Sequence, residues 1–211
     1  MKTTASVQNW AIGTTPDVLE NIHQKDINIA VYERDLTEFE AEIEHLLEQN
    51  IELKLSGDAA TIHEELKKAI DPNTSPQITQ DILDLVDLFK GISGSEKIRL
   101  LLATINVNMC RKFHTDVNDI RMLCTYSGPG TLWLTEDNIN RNGLGTPEGN
   151  ASIVIDEGKI QQAKTGAAIL LKGAIYPKEG TKAVVHRSPT IEESGERRLL
   201  LRVDTGKFRY F

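Results

Sequence analysis

The sequence predicts an α+β protein with a mostly helical first half and a strand-rich second half. Three observations lead there. Apolar residues recur at helical spacing through the first 90 or so positions. Short β-branched runs separated by Gly, Pro and Asn clusters follow. The charge also changes sign at the same place: residues 1–100 carry 19 acidic and 9 basic side chains, residues 101–211 carry 12 and 15, within a total of −7. The chain therefore divides into a helical part, 1–95, and a strand-rich core, 96–211, integrated as one domain.

Taken in order, Ile27–Tyr32 reads as a short strand. Leu36, Phe39, Ile43, Leu46 and Leu47 form one apolar stripe at steps of three and four. Thr37 with Glu40 has capping-box spacing, so that helix is predicted to begin there. A second helix covers Ala59–Ile70 and stops at Asp71-Pro72. Ser75-Pro76 offers an N-cap and a first-turn proline to a third, whose stripe of Ile78, Ile82, Leu85, Val86 and Phe89 runs to Gly91. Strands are predicted over Lys97–Asn108, Arg121–Tyr126, Ser152–Ile155, Gly166–Lys172, Lys182–His186 and Arg197–Val203. Short strands at such intervals suggest a sandwich or barrel. Ser127–Trp133 is a tight turn leading into a strand, with Trp133 expected in the core or at its rim. The polar, Gly-rich stretch 136–150 is long enough to be functional.

Composition removes several classes of function. An acidic total argues against nucleic-acid binding, which needs Lys and Arg against phosphate. No apolar run approaches the roughly 20 residues that span a bilayer. Met1–Gly13 lacks the apolar stretch of a signal peptide. Cys110 and Cys124 cannot make a disulfide framework and read as buried free thiols in strands, so a cytoplasmic protein is expected. There is no phosphate-binding loop, dinucleotide fingerprint or Gly-x-Ser-x-Gly elbow. His23, His45 and His63 fall in the helical part without metal-site spacing, and the acidic face of Glu38–Glu48 reads as solvated helix surface.

One constellation carries chemistry. His114 and Asp116 stand at i and i+2, on the same face of an extended strand. With a distant third ligand they would form the two-His-one-carboxylate set typical of non-haem Fe(II) oxygenases. His186 is the only other histidine of the strand-rich half. A strand follows it that opens with two arginines. Alternation groups Arg197 with Leu199, Leu201 and Val203 on an otherwise apolar face, where a guanidinium needs an anionic partner. If the register slips by one residue, Arg198 takes that place. Tyr126 and Asn118 share the parity of His114 and Asp116, the first as a donor to a carboxylate, the second as support for a ligand. Arg121 has the opposite parity and is left outside the site.

The HxD pair, the distal His186 and an arginine eleven residues later resemble the signature of the Fe(II)- and 2-oxoglutarate-dependent oxygenases. That resemblance implies a double-stranded β-helix (a jelly-roll, cupin-like core) with the helical part packed outside. It implies iron held by His114, Asp116 and His186, and 2-oxoglutarate anchored by Arg197 or, failing that, Arg198. The blocks CRKFHTDVNDIRMLCTYSGPGTLWL and HRSPTIEESGERRLLLRVDT also resemble a bacterial domain family of unknown function associated with zinc-responsive genes. The first resemblance implies an oxygenase acting on a small molecule or a protein. The second implies, as the alternative, a non-catalytic Zn2+-binding protein of metal homeostasis.

Overall fold

A computed structural model describes residues 8–206; the first seven residues of the stretch read for a signal peptide lie outside them. Residues 8–95 are not a helical part. They interleave strands β1 (Trp10–Gly13), β2 (Ile29–Tyr32) and β3 (Glu52–Gly57) with helices α1 (Glu40–Glu48), α2 (Ala59–Ala69) and α3 (Pro76–Ser93). The run ELKLSG of β3 alternates half-buried and exposed positions, a period-two signal overshadowed by the helical stripes around it. The predicted capping box does not form, because Thr37 donates its amide and hydroxyl to Asp35 and a 3-10 turn over Thr37–Phe39 precedes α1. Helix α2 is capped by Asp58, whose carboxylate accepts from the Thr61 amide at 2.8 Å. Helix α3 begins on Ser75-Pro76 as expected and ends at Gly94, in a left-handed conformation at φ 61°.

Strands β4 (Ile98–Ile105), β5 (Ile120–Ser127), β6 (Leu132–Trp133), β7 (Gln161–Gln162), β8 (Ala168–Lys172), β9 (His186–Arg187) and β10 (Arg198–Thr205) complete the set. Ser152–Ile155, read as a strand, instead lies in and just after a helical turn, α4 (Asn150–Ile153). Lys182–His186 is extended only at its end.

The major sheet has the order β1-β2-β8-β5-β10-β4-β3, antiparallel except for the parallel β1–β2 pair. A minor sheet, β7-β6-β9, lies against it. Helices α1–α3 bury Leu46, Ile62, Ile82, Val86 and Phe89 on one face of the major sheet, where Met122, Cys124, Leu199, Leu201 and Val203 meet them. The opposite face contributes Ile29, Leu123, Ile169 and Leu200, which pack with Trp133 of the minor sheet. A third cluster of Phe113, Leu134, Ile139, Ile153 and Val185 joins the minor sheet to the 134–155 excursion. A site between the sheets is thus walled by two apolar layers.

Candidate metal centre

His114 and His186, 72 residues apart, are opposed in an isolated antiparallel bridge: each backbone amide donates to the other's carbonyl at 3.0 Å. Direct opposition brings the two side chains together, and the ring centroids are 4.6 Å apart. Asp116, two residues beyond His114, reaches both. Its oxygens lie 3.6 Å from His114 Nε2 and 3.5 Å from His186 Nε2. One ligand atom from each of the three residues fits within 4.8 Å of the others, close enough to share an ion.

The ring orientations suit that role. His114 Nδ1 lies 2.9 Å from the Lys112 carbonyl, and His186 Nδ1 makes a longer 3.5 Å contact to the Val184 carbonyl. With Nδ1 donating to a carbonyl, Nε2 is the nitrogen turned to Asp116. Burial pushes the His186 imidazole down to about 4, so it is neutral at pH 7 with a lone pair to give. Burial alone would raise the Asp116 carboxyl, but His114, His186 and Arg121 outweigh it and hold it well below the ordinary carboxylate range. The bond to Asp116 raises the His114 imidazole against the opposing effect of burial.

Arg121 belongs to this cluster, contrary to the expectation from parity. Its Nη1 donates to Asp116 Oδ2, and its Nε donates to Asp204 Oδ1 at 2.7 Å. The parity count assumed one strand from His114 through Tyr126. The chain is irregular between His114 and Ile120, however, and there Asp119 turns its carboxylate back onto the Ile120 amide. The face beyond that point is inverted. Arg121, Leu123 and Thr125 point to the minor sheet, while Tyr126 points to the helices and donates to Asp81 of α3 at 2.6 Å. Tyr126 is therefore walled off from His114 by the sheet itself. Asn118 meets the cluster only at one remove: its Nδ2 donates to Asp204 Oδ1 at 3.2 Å.

The two adjacent arginines at the start of β10 part company. Arg197 is exposed, whereas Arg198 is 1% exposed and faces the space between the sheets. Alternation did group Arg197 with Leu199, Leu201 and Val203, but that face of β10 lies on the helices. Arg198, Leu200 and Arg202 share a cavity of about 70 Å³ with His114, His186 and Arg121. Arg198 Nη2 donates to Thr125 Oγ1 at 3.0 Å and its Nε has no partner. Burial lowers the guanidinium to about 10, with no carboxylate opposing it. Cys110, read as buried, is exposed at the edge of this cavity; Cys124 is buried on the helix side, its thiol pushed up to about 12 by burial. Trp133 is buried between the sheets, edge-on to Trp10 at 6.4 Å.

The sequence pattern of one family matches residues 13–204, nearly the whole chain. The chain belongs to the DUF1826 family of proteins of unknown function. No curated protein matches it. Among solved structures, a dioxygenase for auxin oxidation from Arabidopsis thaliana, in complex with 2-oxoglutarate, is 8% identical over 94% of this chain and 92% of that one, with a TM-score of 0.53. A prolyl-4-hydroxylase from Pseudomonas putida is 10% identical over 92% and 94%, at 0.45. A full-length protein of Neurospora crassa, in complex with alpha-ketoglutarate, is 11% identical over 90% and 78%, also at 0.45. The first likeness shows that this chain shares the jelly-roll fold of that dioxygenase. The zinc association expected of the family finds no support in these comparisons. No helix among the described residues is long and apolar enough to cross a membrane.

Proposed function

We propose that the protein is a non-haem oxygenase dependent on Fe(II) and 2-oxoglutarate. The observation that carries the reading is Arg198, a buried guanidinium with an unpaired Nε and no carboxylate, sharing one small cavity with His114 and His186. A buried cation left in that state is costly. An anion entering the cavity relieves the cost, and a planar fork favours a carboxylate.

The donor set fits Fe(II): two imidazole nitrogens and one carboxylate on a single side, leaving positions open. His114, Asp116 and His186 would hold the ion, and Arg198 with Thr125 would hold the far carboxylate of 2-oxoglutarate. Bound together, iron and 2-oxoglutarate supply the oxidising power to hydroxylate an unreactive C–H bond with dioxygen. The chain's own share is placement. Arg121 fixes the rotamer of Asp116, the His114–His186 bridge fixes the spacing of the imidazoles, and Leu123, Leu200 and Met109 keep bulk water from the cavity. Charge favours an anion as well. Three guanidiniums, of Arg121, Arg198 and Arg202, face only the two carboxylates of Asp116 and Asp204, so an added divalent cation calls for a dianion. Zn2+ accepts the same three ligands, but a zinc site without a cosubstrate gives Arg198 nothing to bind, which favours the oxygenase reading over metal homeostasis.

Anaerobic addition of Fe(II) and then 2-oxoglutarate tests this. A visible charge-transfer band is expected from the wild type, no metal binding at the site from His186→Ala, and retained Fe(II) with at least tenfold weaker 2-oxoglutarate binding from Arg198→Met. Stoichiometric Fe(II) with no 2-oxoglutarate binding in the wild type overturns it.

A further inference from the structure

His114 lines two cavities. One is the inner cavity of Arg198; the other, of about 370 Å³, lies between residues 112–115 and the 144–153 segment. We infer that this outer cavity is the binding site for the primary substrate, and that the substrate is a small molecule with an apolar, ring-sized body and one anionic group. The inference rests on the oxygenase reading for the word substrate, and on the outer cavity's own features for the chemistry.

The volume falls within the roughly 300–1,000 Å³ of small-molecule sites, and the cavity has their usual character, an apolar lining with a few polar groups. Leu144 and Ile153 supply apolar wall, Thr115 and Thr146 hydroxyls, and Lys112 and His114 the only ionisable groups; no carboxylate among the described residues lines it. The carboxylate of Glu148, in the same loop, is fully exposed and already held by its own amide and Thr146, whereas Lys112 is left to meet an anion. The Lys112 side chain is exposed, and its Cε lies 3.9 Å from the point where a Gly149 Cβ would stand. Its stem therefore runs along the loop and its ammonium reaches the solvent side, which orients an anionic ligand with the apolar end inward, toward His114.

The wall is also fastened in place. The Asn150 side chain accepts from the Phe113 amide at 2.7 Å and donates to the Arg111 carbonyl at 3.0 Å, pinning the loop to the segment that carries His114. Gly143 closes against Ser152 so tightly that a Cβ there would stand 2.2 Å from the Ser152 carbonyl oxygen. Preformed cavities of this kind spend little binding energy on ordering. The larger cavity on the helix side is lined by Arg34 and Asp81, which already pair with each other, and the major sheet separates it from the metal ligands.

The test uses 2-naphthoate as probe, followed by amide chemical shifts in the isotope-labelled full chain, with metal titration on the same samples. Saturable shifts are expected at Thr115, Gly145, Thr146 and Gly149. Naphthylmethylammonium should give none, and Lys112→Glu should weaken naphthoate at least fivefold while metal stoichiometry stays at that of the wild type. Thr115→Phe, which fills the cavity, should abolish the shifts in a protein that still gives a dispersed, folded spectrum. Shifts centred on the strand of Arg198 or on the helix face, equal binding of the cation, or an unchanged affinity in Lys112→Glu each overturn the inference. Naphthoate failing where metal and 2-oxoglutarate bind sinks this inference alone. Metal failing to bind at His114, Asp116 and His186 sinks the oxygenase reading beneath it, whatever naphthoate does.

Discussion

A carboxylate has two oxygens with which to meet a cation, and the neighbours of each decide how it does so. At Asp116, Oδ2 accepts from Arg121 Nη1, and Arg121 is itself held from behind by Asp204. Groups that orient a ligand without touching the metal are typically worth roughly 10- to 100-fold in affinity. Arg121→Met is therefore expected to weaken Fe(II) binding by that factor, and Asp204→Asn by less, because it loosens Arg121 rather than removing it. Calorimetric metal titration of both variants, alongside their thermal melts, checks this; equal affinity for variant and wild type would show Arg121 to be only a structural ion pair. His114, Asp116 and His186 were legible in the sequence because i, i+2 spacing is a local property and only one further histidine was on offer. Arg121 was not, since its inclusion depends on a break in the strand at Asp119 that no residue type announces. Asp204, a lone acid inside the run RLLLRVDT, was the one visible hint of a buried basic partner.

At the scale of elements, strand β10 shows why the exposed arginine was first in line. Leu199, Leu201 and Val203 do share one face, as alternation has it, but nothing local said which sheet face that was, and Arg197 lies outside the strand. The pairing of β10 with β5 also shifts between Leu199, opposite Ser127, and Leu200, opposite Thr125, leaving Tyr126 as the extra residue of a bulge. The turn after this bulge needs Gly128, which has φ 80°. An added Cβ would stand 2.4 Å from the Arg197 carbonyl oxygen and 2.9 Å from Arg198 Cγ. Gly128→Ala should therefore displace the Arg198 side chain as well as strain the backbone. The expected result is at least tenfold weaker 2-oxoglutarate binding, unchanged Fe(II) binding, and a stability loss of about 1–3 kcal/mol. Gly94→Ala is the control: φ is 61°, but a Cβ there meets nothing within 4 Å. It should share part of the stability loss and none of the effect on 2-oxoglutarate. If both variants bind 2-oxoglutarate like the wild type, Arg198 is not held by that turn.

At the scale of the whole molecule, the major sheet is a partition. Helices cover one face, the minor sheet and the candidate metal centre the other, and each strand alternates between two separate environments. The stripes of α1–α3 were legible because they are periodic over many residues. Strand β1, the two-residue strand β7, and the merging of β1–β3 into the sheet were not, because short strands carry little pattern and their pairing is decided by distant chain. Tyr126 tests the partition most directly. Its phenol donates to Asp81, which also binds Arg34, and burial holds its pKa well above the ordinary tyrosine range. Tyr126→Phe removes one hydrogen bond to a charged group and keeps the packing, a loss of about 1.5–3 kcal/mol by the usual worth of such bonds. In a chain of 211 residues that is a fall of several degrees in Tm. Because the bond lies on the helix side, Fe(II) and 2-oxoglutarate affinities should stay within twofold of the wild type. A cosubstrate donor would behave in the opposite way, with little change in Tm and a clear loss of 2-oxoglutarate binding. Measuring both quantities on one purified variant therefore decides on which side of the sheet this phenol acts.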